Sequence, residues 1–177
     1  FNEYFCRHGI DAVYENVELD DVSSLLPLLR EHPEIRGLNV TSPYKRDVVP
    51  LLTSMTAEAR AVGAVNCIRV SHNADGSVEL KGHNSDVEGF AAMLSGLQVK
   101  SGADGDKALI FGTGGASSAV AYAFRNAGIG YTVVSRNPER GLPYDALSDS
   151  LLRDHRLLIN ATTLGIGHHA DECVPIY

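Results

Sequence analysis

A handful of short segments carry the side chains able to do chemistry. Asn39-Val40-Thr41-Ser42-Pro43-Tyr44-Lys45 places an amide, a hydroxyl and an ammonium at a strand-to-helix switch. Such groups can converge on a hydroxylated substrate, although a lysine exposed in a first helical turn is the ordinary fate of that residue. Asn39-x-Thr41 also matches a glycosylation sequon. Gly82-His83-Asn84-Ser85-Asp86 follows a strand and opens a helix, so Asp86 is either a working carboxylate or a first-turn acid favoured by the helix dipole. Just upstream, Ala61-Val62-Gly63-Ala64-Val65-Asn66 can bring a second amide to the same cleft.

Gly112-Thr113-Gly114-Gly115-Ala116 comes after an apolar run and begins a helix, the setting a dinucleotide fingerprint requires. Glycines there let the backbone turn tightly and approach a pyrophosphate, whose charge rests on the helix N-terminus. The third glycine position holds Ser117 instead, and an ordinary tight turn would also fit. The next strand ends in Ser135-Arg136-Asn137-Pro138-Glu139-Arg140. An acid at that point suits the 2′-hydroxyl of NAD, and an arginine suits the 2′-phosphate of NADP. Arg136 and Arg140 therefore favour NADP over a reading as two solvated surface cations. His168-His169 lacks a third ligand at metal-site spacing, so no metal is expected.

These segments need elements to hold them. In the first half, Ala12 to Leu19 alternates like a strand, and Val22 to Glu31 has helical spacing weakened by Pro27. Ile35 to Val40 is a short strand candidate, after which Pro43 can start a helix. A helix is expected over Thr56 to Val62. Cys67 to Val70 and Val78 to Lys81 flank Asn73-Ala74-Asp75-Gly76 as a hairpin. An amphipathic helix from Asp86 leads to the polar stretch Lys100 to Asp106, where the boundary between residues 1–99 and 100–177 is placed. Beyond it, strands over Ala108 to Phe111, Tyr131 to Val134 and Leu157 to Asn160 alternate with helices from Ala116 and over Tyr144 to Arg153. That alternation predicts α/β architecture with a parallel sheet.

The 177 residues, 44% hydrophobic and 21% charged, suffice for one large or two small domains and exclude disorder and coiled coil. No apolar run approaches a membrane span. A net charge of -7 argues against nucleic acid as a partner. Cys6, Cys67 and Cys173 are too few and scattered for a disulfide framework, which favours a reducing cytoplasm. The chain starts at Phe1 rather than Met and stops at Tyr177 without a closing element, so it is expected to be part of a longer protein.

The ordered set of Asn-Val-Thr-x-Pro-x-Lys at 39–45, Ala-Val-Gly-Ala-Val-Asn at 61–66, Gly-His-Asn-Ser-Asp-x-x-Gly-Phe at 82–90, Gly-Thr-Gly-Gly-Ala-Ser at 112–117 and Ile-Asn-Ala-Thr at 159–162 resembles the shikimate dehydrogenase family. The resemblance implies an N-terminal α/β substrate domain and a C-terminal Rossmann-type NADP domain with the active site between them. It implies NADPH-dependent, reversible reduction of 3-dehydroshikimate to shikimate on the way to chorismate and aromatic amino acids, by a monomer or homodimer. By residue, Lys45 and Asp86 match the catalytic pair, and Thr41 and Asn66 match substrate-hydroxyl contacts. Gly112, Thr113, Gly114, Gly115 and Ala116 match the pyrophosphate loop, and Ser135, Arg136, Asn137 and Arg140 the 2′-phosphate cluster. Ser85 stands where the family has Thr, and the family's serine pair and closing helix fall outside residues 1–177. A relative preferring NAD and a non-catalytic nucleotide-binding module remain the alternatives.

Overall fold

A computed structural model describes residues 1–176, which form two β-sheets with a helical seam between them. The first sheet has four strands: β1 (Gly37–Asn39), β2 (Ser54–Met55), β3 (Cys67–His72) and β4 (Val78–His83), in the order β1-β3-β4-β2. The hairpin β3–β4 turns at Asp75-Gly76 as expected, with Asp75 accepting from the Ser77 amide and Gly76 at φ +80°. Cross-strand pairing continues from His72↔Val78 to Cys67↔His83, so each strand runs two residues past its sequence prediction. Leu29, Val48, Ala59, Val65, Ile68 and Leu80 fill the core against this sheet.

The second sheet is fully parallel, β6-β5-β7, from β5 (Lys107–Phe111), β6 (Gly130–Val134) and β7 (Leu157–Asn160). Parallel pairing demands crossovers. Helix α5 (Gly115–Asn126) supplies one, burying Ala119, Val120, Ala123 and Phe124 at helical spacing. Burial of the fully covered Phe124 ring alone contributes about 1.5–3 kcal/mol.

Between the sheets lies α4 (Ser85–Ser95). Its Leu94 joins the buried cluster of Ala108, Ile110, Val120 and Phe124, and Phe90 meets Phe124 edge-on with centroids 5.2 Å apart. One turn earlier, Val87 packs with Ala119 of α5, with Ala64, and with Val62 of the short helix α3 (Ala57–Val62). The seam thus places the start of α4 beside the start of α5.

Three expectations fail. Ala12 to Leu19 forms no strand: Val13 and Val17 are exposed and the segment pairs with no described strand, held instead by Asn2 bonded both ways to the Tyr14 backbone and by the Tyr44 hydroxyl donating to the Leu19 carbonyl. Alternation without a neighbour cannot make a ladder. No helix begins at Pro43; Ser42 to Val48 is a run of turns, with a cis Ser42–Pro43 bond. Tyr144 to Arg153 divides into a single 3₁₀ turn at Tyr144–Ala146 and α6 (Asp149–Asp154), because Leu147 is extended and the Ser148 hydroxyl caps the Leu151 amide. The Val22 to Glu31 reading resolves into a 3₁₀ turn followed by α2 (Leu25–Glu31). Pro27 sits there in the first turn, where its missing N–H has no helical partner to lose.

Candidate active site

Four side chains from the first half meet at the seam. The turns after β1 carry Lys45, whose Nζ donates to Asp86 Oδ2 at 2.7 Å. Asn66 Nδ2 donates to the other carboxylate oxygen, also at 2.7 Å, and to Ser85 Oγ at 3.0 Å. Both oxygens of Asp86 are engaged, while the Lys45 and Asp86 side chains keep 19% and 33% of their surface open. The pair is sheltered but reachable.

Local structure explains how Asp86 is aimed. Asn84, fully buried, is the N-cap of α4: its Oδ1 accepts the Asp86 amide and its Nδ2 donates to the Ala64 carbonyl at 2.9 Å. Asn66 Oδ1 accepts the Ser85 amide at 2.9 Å. Two amides therefore satisfy orphan donors of the first helical turn while tying it to the link of residues 64–66 that precedes β3. Asp86 gains in addition from the positive end of the helix. Backbone bonds then draw the 39–45 segment in, with Val40 donating to the Asn66 carbonyl and Val65 to the Lys45 carbonyl. Thr41 is exposed and follows directly on that first bond, with no side-chain bond to Lys45 or Asp86 among the described residues.

The glycine loop faces this group. Gly112 has φ +111°, and a Cβ there would come within 2.8 Å of the Ala161 carbonyl oxygen, so only glycine fits. The loop is held from behind: buried Ser117 donates its hydroxyl to the Gly112 carbonyl at 2.6 Å. That bond explains why serine stands where a third glycine is usual. Thr113 and Gly114 lead into α5 with Gly114 as its N-cap, and Ala116 is exposed in the first turn. Gly115 touches the other half: a Cβ on it would lie 3.2 Å from the Ala64 Cβ and 3.5 Å from Cβ and Cδ of Lys45.

After β6, Ser135 is buried and accepts the Asn137 amide, and Asn137 accepts the Glu139 amide, folding Ser135 to Arg140 into a tight turn. Arg140 reaches an open cavity of about 270 Å³ that Thr113, Ser118 and Arg46 also line. Arg136 is exposed and does not line it, standing instead near Tyr144. Burial pushes the Tyr144 phenol above the usual tyrosine value, and the Arg136 charge pulls it partly back. His169 pairs with Glu172 at 2.6 Å, and no cluster of three metal-ligating side chains exists among the described residues.

Two residues at the site escaped sequence reasoning. Ser117 read only as a missing glycine. Arg46 gave no signal beyond its place after Lys45, yet its guanidinium crosses to α5, donating to Ser118 Oγ at 2.8 Å and to the Gly114 carbonyl at 3.4 Å.

Comparison with known proteins fits this geometry. A profile of the shikimate dehydrogenase substrate binding domain matches residues 1–68. A shikimate dehydrogenase (NADP(+)) of Acidiphilium cryptum is 33% identical over 92% of the chain, and the chain spans 60% of that relative's length. One from Clostridium botulinum is 30% identical, with 99% of the chain and 69% of the relative covered. The crystal structure of shikimate 5-dehydrogenase from Thermus thermophilus in complex with shikimate superposes with a TM-score of 0.71 at 32% identity, over 92% of this chain and 62% of that one. With the motif order, both sheets and the relatives in agreement, the chain belongs to the shikimate dehydrogenase family.

Proposed function

We propose that the chain forms most of an NADP-dependent shikimate dehydrogenase, reversibly reducing the ketone of 3-dehydroshikimate to the alcohol of shikimate. The observation that carries the proposal is the Lys45–Asp86 pair at 2.7 Å with Asn66 on its other oxygen, directly against Gly115 of the nucleotide loop. Residues 1–99 hold the substrate and 100–177 the cofactor in this reading. The enzyme is a monomer or homodimer of the cytoplasm.

The loop suits a dinucleotide. Gly112 turns at φ +111° hard against the Ala161 backbone, and at the Gly114 N-cap no side chain takes the first amides of α5, which leaves them to a pyrophosphate. Gly112 to Ala116 would hold that group, with Arg136, Asn137 and Arg140 available for the 2′-phosphate and buried Ser135 shaping their turn. When bound, NADPH supplies the hydride.

The remaining chemistry belongs to the chain. Charge that develops on the substrate oxygen during reduction is stabilised by the Lys45 ammonium, which can also give it a proton. Asp86 holds that ammonium in place, and a substrate hydroxyl can share the carboxylate. Thr41 and Asn66 supply further groups for the ring hydroxyls. In oxidation the same atoms take the proton back.

A steady-state assay of the full-length protein with shikimate and either NADP or NAD tests the reading. Turnover with a strong NADP preference supports it. No turnover with either cofactor overturns the enzyme reading, and a preference for NAD overturns the role given to the arginines.

A further inference from the structure

Nothing in that mechanism uses Arg46. It is nevertheless the side chain that crosses farthest between the halves, its partners lying 68 and 72 positions along the chain. Ser118 ends the first turn of α5 and Gly114 caps it, so one guanidinium grips both ends of the turn that carries the loop. On the same turn, Gly115 rests against the alkyl stem of Lys45, the residue adjacent to Arg46. Both bonds leave one nitrogen, Nη2, whose two hydrogens lie in the rigid guanidinium plane, so the two acceptors are held at a fixed angle that a mobile ammonium does not impose.

We propose that Arg46 is a positioning residue, clasping the first turn of α5 so that the nucleotide loop and the Lys45 amine keep one fixed spacing. Its kinetic consequence rests on the shikimate dehydrogenase reading; the contact does not. Hydride transfer is sensitive to spacing, and the glycine contact alone restrains the loop from approaching Lys45 but not from drifting away. The Arg46 bonds supply the opposite restraint. Because the guanidinium is exposed, solvent screening holds the effect to the worth of an ordinary hydrogen bond rather than a charge-assisted one, roughly three- to tenfold.

Three variants in the full protein, Arg46→Ala, Ser118→Ala and the double variant, test this by kinetics and by amide hydrogen exchange. Arg46→Ala should lower kcat roughly three- to tenfold, with the KM for shikimate, the NADP affinity and the thermal midpoint little changed. The double variant should be no worse than the poorer single one, and Arg46→Lys should restore part of kcat. Exchange at the Ser118 amide, which bonds to the Gly114 carbonyl, should quicken in Arg46→Ala whether or not the protein turns over shikimate. Quickened exchange in a protein that does not turn over shikimate would leave the clasp standing and sink the enzyme reading. Unchanged exchange, multiplying losses in the double variant, or a weakened NADP affinity with normal kcat would overturn the clasp.

Discussion

Asp86→Asn removes the charge of the pair while keeping its shape, and its single amide oxygen can accept from Lys45 or from Asn66 but no longer from both. At a 2.7 Å separation, two unit charges attract by about 1.5 kcal/mol in bulk water and by about 6 kcal/mol at an effective dielectric of 20. With a fifth to a third of each side chain open to solvent, desolvation and side-chain ordering leave a net of about 1–3 kcal/mol. If that whole amount is realised in orienting Lys45, it corresponds to a loss of about 5- to 150-fold in rate. Lys45→Ala also removes the group that meets the developing charge and should cost about two to four powers of ten. Shikimate oxidation, followed by the absorbance of the NADPH formed, reads both variants alongside thermal midpoints. Because Asp86 acts on the chemical step through Lys45, the double variant should match the kcat of Lys45→Ala, with any further loss falling on the KM for shikimate through the hydroxyl that shares the carboxylate. Near-normal turnover in Asp86→Asn, or kcat losses that multiply in the double variant, would refute the dyad.

Arg136→Asp should raise the KM for NADP far more than that for NAD; equal shifts would show that it does not read the 2′-phosphate. Gly115→Ala must move the loop by a few tenths of an ångström off Ala64, lowering kcat about tenfold at a nearly unchanged thermal midpoint. Asn84→Ala removes a cap and strands the Ala64 carbonyl, costing about 1–3 kcal/mol in urea unfolding, and a change below about 0.5 kcal/mol would contradict its anchoring role. The Tyr144 phenol holds its proton more tightly folded than unfolded, so its contribution is complete below about pH 10 and lost as pH rises through its raised folded value. Tyr144→Phe should flatten that alkaline loss, and Arg136→Ala should carry the phenol titration still higher in a spectrophotometric titration.

Local rules made much of this architecture readable. The Asp75-Gly76 turn announced its hairpin, Leu157 to Asn160 announced β7, and the spacing of Val120, Ala123 and Phe124 announced the buried face of α5. The failures share one physical origin. Ala12 to Leu19 has the right alternation, but a strand exists only beside another strand. The turns at Ser42 to Val48 are set by backbone bonds to residues 65 and 66, not by the proline at their start. At the site, residue type alone leaves Lys45 an ordinary exposed lysine and Asp86 a first-turn acid. It is the ordered motifs, through the family they resemble, that single out Lys45, Asn66 and Asp86, which lie within hydrogen-bond distance of one another through Asp86. Arg46 and Ser117 were not legible, because one acts across 72 positions and the other through its own loop's backbone.

The contact of Gly115 with Ala64 and Lys45 has a consequence for how such a protein can change over generations. The half that carries α5 is not an interchangeable module. A replacement taken from an unrelated dehydrogenase would have to arrive with no side chain where its first helix meets Ala64, and with a hydroxyl one turn later for Arg46. Ala64 is likewise held small by a residue 51 positions away in the other half. Swaps between distant parents should therefore fail at this seam even when each half folds, and compensating changes should arise in pairs across it.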